Sequence, residues 1–131
     1  MIEEAIYSRL SGTAALTAIV STRIYPGYAS QGDTIPYVTF MLYNSDVNPA
    51  MGDNIDIESA NFTFTAVSNN YDECRDIIKN VKDALERWTQ SSGIEVLYSQ
   101  VVRYTPLVYD KDAEAYHRGL DMNFHYRPST L

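Results

Sequence analysis

Residues 116–127 read Tyr-His-Arg-Gly-Leu-Asp-Met-Asn-Phe-His-Tyr-Arg. Tyr116, Arg118, Leu120, Met122, Phe124 and Tyr126 share one parity, while His117, Gly119, Asp121, Asn123, His125 and Arg127 share the other. This is the cleanest period-two alternation in the chain and predicts a strand with one face on a core and the other in water or against a partner. Upstream, Asp110-Lys111-Asp112-Ala113-Glu114 reads as an acidic loop feeding this strand, and Ile94 to Tyr104 reads as another strand that stops before Pro106.

The next segment toward the N-terminus changes period. Tyr71, Cys74, Ile77, Ile78, Val81, Leu85 and Trp88 trace one apolar helical stripe, opposed by Asp72, Asp76, Lys79, Lys82, Asp83 and Glu86. Asn70 followed by Glu73 resembles a capping box, and Ser91-Ser92-Gly93 is expected to end the helix. Before it, a strand is expected from about Ile55 to Val67. Ile55 and Ile57 share one parity, and Phe62, Phe64 and Ala66 share the other, so a one-residue bulge is expected near Ser59-Ala60. Asn44 to Asn54 has the composition of a long mobile loop, and Tyr37 to Tyr43, just beyond Pro36, reads as the first strand.

Two short helices open the chain: Ile2, Ala5, Ile6 and Leu10 mark one, with Glu3 and Glu4 in its first turn, and Thr13 to Val20 marks another. Pro26-Gly27 ends any regular element, and a connecting loop runs to Pro36. The order is helix, helix, strand, strand, helix, strand, strand. It predicts an α+β fold, a four-stranded, mainly antiparallel sheet with its helices on one face. At 131 residues a single domain over 1–131 is expected, with 128–131 a frayed tail.

A formal net charge of -7 opposes non-specific attachment to nucleic acid or anionic lipid. No secretory signal and no membrane span is legible, so synthesis in the cytoplasm and no membrane partner are expected. The search for chemistry returns little. His117 and His125 lie on one expected strand, roughly 26 Å apart, too far to share a metal. Cys74, the single cysteine, sits in the inward stripe of the long helix and reads as an inert core thiol. Asp46, Asp53, Asp56 and Glu58 lack the spacing of a calcium loop, and the six glycines are isolated, which removes support for a phosphate cradle. No catalytic, cofactor or metal site is therefore expected, and the chain reads as a non-enzyme. A small ligand-binding α+β domain is the rival from a different class; it would need convergent polar groups that the sequence does not offer.

Taken in order, Ile2 to Leu10, Ala14-Ala15-Leu16, Arg23-Ile24-Tyr25-Pro26, Ile35-Pro36-Tyr37-Val38, Tyr71-Asp72-Glu73-Cys74-Arg75 and Tyr116 to Phe124 resemble the phage tail completion, or tail terminator, family of tail-to-head joining proteins. The likeness spans nearly the whole chain, with one departure: Phe62 to Val67 lacks a tryptophan often found in that strand. The resemblance implies a virion protein assembled in the host cytoplasm, a homo-hexameric ring on the head-proximal end of the tail tube. Its partners would be itself, the major tail tube protein and a head-neck or head-completion protein; a head-closure or adaptor protein of the neck is the nearest alternative. Six such chains would carry about -42 formal charges, so DNA would pass the lumen without specific binding. Ring closure needs a heterologous interface. Its candidate residues are Asp46, Asn48, Met51 and Asp53 in the first loop, Tyr109, Asp110, Asp112 and Glu114 in the second, and His117, Asp121 and His125 on the outer parity of the last strand.

Overall fold

The computed structural model describes residues 2–21, 23–27, 35–49, 56–89, 95–111 and 114–127. Three helices, α1 (Ile2–Ser11), α2 (Ala14–Val20) and α3 (Tyr71–Leu85), accompany six strands: β1 (Ile24–Pro26), β2 (Tyr37–Pro49), β3 (Asp56–Ser68), β4 (Glu95–Tyr104), β5 (Val108–Asp110) and β6 (Ala115–Arg127). The α+β reading stands; the four-stranded sheet is corrected to six strands in the order β1-β2-β3-β6-β4, with β5 paired to β6. The two additions are three-residue strands, too short to show alternation. β1, which the Pro-Gly pair argued against, runs parallel to β2 and pairs Ile24 with Val38. Arg23 ties it down, its Nε donating to the Pro36 carbonyl at 2.8 Å.

The expected loop from Asn44 is also corrected. β2 continues to Pro49, and its distal half pairs with β3 from Asn44↔Asn61 to Pro49↔Asp56. Asn, Ser and Asp are poor strand formers in isolation, but a long antiparallel partner overrides that weak preference. The bulge lies on the opposite strand from the one expected: register shifts between Leu42 and Asn44 of β2, whereas β3 pairs with β6 without a break from Glu58↔Tyr126 to Ser68↔Tyr116. β6 is thus a central strand, flanked by β3 and β4.

One face of the sheet carries Phe40, Phe62, Phe64 and Phe124, all buried, with ring centroids 5.8–6.3 Å apart. The helices cover this face with Ile6 and Leu10 of α1, Leu16 and Val20 of α2, and Cys74, Ile77, Ile78, Val81 and Leu85 of α3. α3 starts where expected: the Asn70 side chain accepts from the backbone N–H groups of Asp72 and Glu73. The reciprocal half of the cap is relayed, since Ser68 Oγ accepts from the Asn70 N–H at 3.1 Å and donates to Glu73 Oε1 at 2.7 Å.

The helix ends earlier than expected, at Leu85. Glu86 turns extended and Arg87 takes a left-handed φ of 57°, which carries Trp88 out of the helix but still into the core. Ser99 of β4 fixes this exit. Its Oγ donates to the Leu85 carbonyl and accepts from the Trp88 N–H, and its own carbonyl accepts from the Arg87 N–H.

Candidate interaction surface

Among the described residues, no helix covers the second face of the sheet. Register assembles it in rows: Met41↔Thr63, Thr63↔Asp121 and Arg103↔Asp121 form one, and Thr39↔Thr65 and Thr65↔Gly119 form another. In the first row Asp121, only 5% exposed, accepts from Thr63 Oγ1 at 2.8 Å and from Arg103 Nε at 2.6 Å, so its charge is balanced across three strands. The Asp121 carboxylate, and after it the Tyr43 hydroxyl, raise the guanidinium pKa of Arg103. Next along the strands, Asn123 Nδ2 donates to Asn61 Oδ1 at 2.7 Å and to Ser59 Oγ at 2.9 Å.

A groove of about 460 Å³ runs between β2 and β6, lined by Tyr37, Thr39, Met41, Tyr43, Thr63, Thr65, Val67 and His117. Met41 and Tyr43 are exposed, as is Tyr98 on the β4 edge of the same face. Tyrosine and methionine, both present on this open face, are enriched at protein interfaces, where amphipathic rings bury area with little rotamer entropy.

The sequence-derived interface residues distribute as follows. His117, Asp121 and His125 all lie on the uncovered face, on one unbroken strand, with the His125 ring 6.2 Å from that of Tyr98. Asp46 and Asn48 belong to β2; Asp46 stands opposite Ser59, which stands opposite His125, so register brings Asp46 and His125 into one row. Tyr109 and Asp110 belong to β5, with the exposed Tyr109 ring 4.9 Å from Tyr116, and Glu114 closes the β5–β6 turn with a left-handed φ of 53°. Met51, Asp53 and Asp112 lie outside the described residues.

Sequence reasoning missed the Arg103 partnership and a second feature on the helical face. There Arg118 stacks over the Tyr104 ring at 5.3 Å, and the two line a groove of about 520 Å³ with Arg75, Lys79, Asp72, Asp76 and Ile78. The parity rule had assigned Arg118 inward, which was the available signal, but nothing local pointed to Tyr104.

The chemistry of the remaining polar groups is structural. Cys74 Sγ is buried, donates toward the Ala66 and Tyr116 carbonyls, and is pushed up to about 11 by burial, so it holds no thiolate near neutrality. Burial, then its 2.6 Å hydrogen bond to Glu58, raises the Tyr126 phenol. Among the described residues no cluster of three or more His, Cys, Asp or Glu is arranged to hold a metal, and no helix is long and apolar enough to cross a membrane.

The model of the family "Tail completion protein gp17" matches residues 4–127. The chain belongs to that family. As a tail completion protein it is a structural component of the virion tail, and its family is not a class of enzymes. A chain from the virion of a native gene transfer agent particle shares the fold with a TM-score of 0.72 at 19% identity, covering 93% of this chain and 91% of that one. No curated protein sequence matches.

Proposed function

We propose that this tail completion protein forms a homo-hexameric ring on the head-proximal end of a phage tail tube, ends tube polymerisation there and joins the tail to the head or neck. The family match across residues 4–127 carries this reading. The uncovered sheet face supports the joining role, because a two-layer domain leaves one sheet face for a tube or neck partner, and this one offers tyrosines and a methionine around a balanced polar centre. The partners are further copies of the chain, the major tail tube protein and a head-neck protein. The sequence's surplus of seven negative charges suits a lumen through which DNA passes without sticking.

Negative-stain microscopy of the purified full chain, alone and with tail tubes, tests the proposal. Sixfold rings that sit on tube ends are expected. A chain that stays monomeric at high concentration and binds no tube overturns it.

A further inference from the structure

We infer that the ring closes through the helical layer, the acidic groove at the β1 edge of one copy docking on the Arg118 groove at the β4 edge of the next. This inference rests on the ring reading above and names the surfaces that would make it. Two grooves lie at opposite ends of a single cross-strand row, Pro26↔Phe40, Phe40↔Phe64, Phe64↔Leu120 and Leu120↔Tyr104. Four strand spacings separate the ends, about 19 Å. At the β1 end, a groove of about 600 Å³ is lined by Glu3, Glu4 and Tyr7 of α1 together with Ile24, Tyr25 and Pro26. At the β4 end is the Arg118 groove.

Their charges are complementary. The β1 groove carries two carboxylates and no cation among its lining residues. The β4 groove carries Arg75, Lys79 and Arg118 against Asp72 and Asp76, a positive surplus in a chain whose total is -7. Among the described residues these three cations form no ion pair, although Lys82, one turn further along α3, pairs with Glu86 at 3.4 Å. Arg118 is the decisive member. Its guanidinium carbon lies over the Tyr104 ring at 5.3 Å, the side chain is half-buried, and it makes no ion pair or side-chain hydrogen bond among the described residues. A pre-oriented guanidinium with free donors suits a carboxylate, which it can hold in bidentate fashion. Because the grooves differ and sit on opposite edges, their union is heterologous and propagates head to tail, the geometry a closed ring requires.

The test is charge reversal in the full chain, read by sedimentation velocity over a concentration series, with circular dichroism checking the fold. Glu3→Lys/Glu4→Lys and Arg75→Glu/Lys79→Glu should each raise the concentration needed for ring formation at least tenfold. Both pairs in one chain should bring it back to within about threefold of the parent. A ring whose midpoint ignores either pair, or a combined variant that fails to recover while remaining folded, overturns this inference and leaves the ring reading intact. A parent chain that is monomeric throughout overturns both.

Discussion

Ser99→Ala isolates the contact that ends α3. Ser99 is fully buried, and its hydroxyl bonds both the Leu85 carbonyl and the Trp88 N–H, the latter at 2.8 Å. Deleting the hydroxyl removes two hydrogen bonds, each worth about 1 kcal/mol net, and a buried backbone group left wholly unpaired would add about 1–3 kcal/mol. That addition is only partly incurred, because the Trp88 N–H already lies 3.2 Å from the Leu85 carbonyl and can settle on it. The expected loss is therefore about 2 kcal/mol, since removing one oxygen atom leaves only a small void. At the usual urea dependence of small domains the unfolding midpoint should fall by roughly 1 M. Trp88 is the sole tryptophan and packs edge-on to Phe124 at 6.3 Å, so its fluorescence reports both the unfolding and any local loosening of the exit turn. Ser99→Cys, which keeps a weak donor and acceptor, should lose less. A midpoint within about 0.3 M of the parent would refute the claim that Ser99 holds the helix terminus.

Three further outcomes are expected. Asp121→Ala should cost about 1–2 kcal/mol in urea unfolding, not the larger cost of breaking a buried pair, because the Arg103 side chain is 65% exposed and resolvates; Asp121→Asn, which still accepts from Thr63, should cost about half as much. Gly119→Ala would place a Cβ 2.5 Å from Thr105 Oγ1, the atom that accepts the Gly119 N–H, so a loss of about 1–3 kcal/mol is expected, and combination with Thr105→Ala should be clearly non-additive in a double-mutant cycle. For Cys74 the folded thiol is raised, so its contribution to stability is complete below the unfolded thiol range and is lost as pH climbs through about 11. Native protein at pH 8 should react with a thiol reagent at least ~100-fold more slowly than urea-unfolded protein, and equal rates would contradict the placement of the side chain.

The parts of the fold that were legible in the sequence are those where one residue type repeats over a long element. The α3 stripe and the β6 alternation extend over many residues each, and both elements are found within a few positions of their expected bounds. What was not legible depended on a distant partner. The left-handed Arg87 that stops α3 is stabilised by Ser99 on another element, β1 needs Val38 to Phe40 beside it, and the second half of β2 is strand because β3 is long enough to pair with it. The bulge was placed on the wrong strand for a related reason: a change of parity in β3 can be accommodated by the strand opposite, and Tyr43 of β2 is where it occurs. For the candidate surface, the outward parity of β6 was readable residue by residue. Its pairing with Arg103, and the stacking of Arg118 on Tyr104, were set by the β4–β6 register and by a second irregularity between Val101 and Arg103.

That register has a consequence for assembly. A one-residue slip of β6 against β3 would exchange its faces, bringing Asp121 and Asn123 under α3 and the Phe124 ring out of its cluster with Phe62, Phe64 and Trp88. Thr63, Arg103, Ser59 and Asn61 make the correct alignment the one in which the buried Asp121 and Asn123 both find partners. The same bonds draw the centre of the uncovered face inward and leave the tyrosines and Met41 standing around it. If a neighbour covers this face, its hydrogen-bonded centre has little side-chain entropy left to lose. Loosening the Asp121 row should therefore weaken assembly by more than its effect on folding alone, a difference that comparing Asp121→Asn with the core variant Ser99→Ala at matched stability would expose.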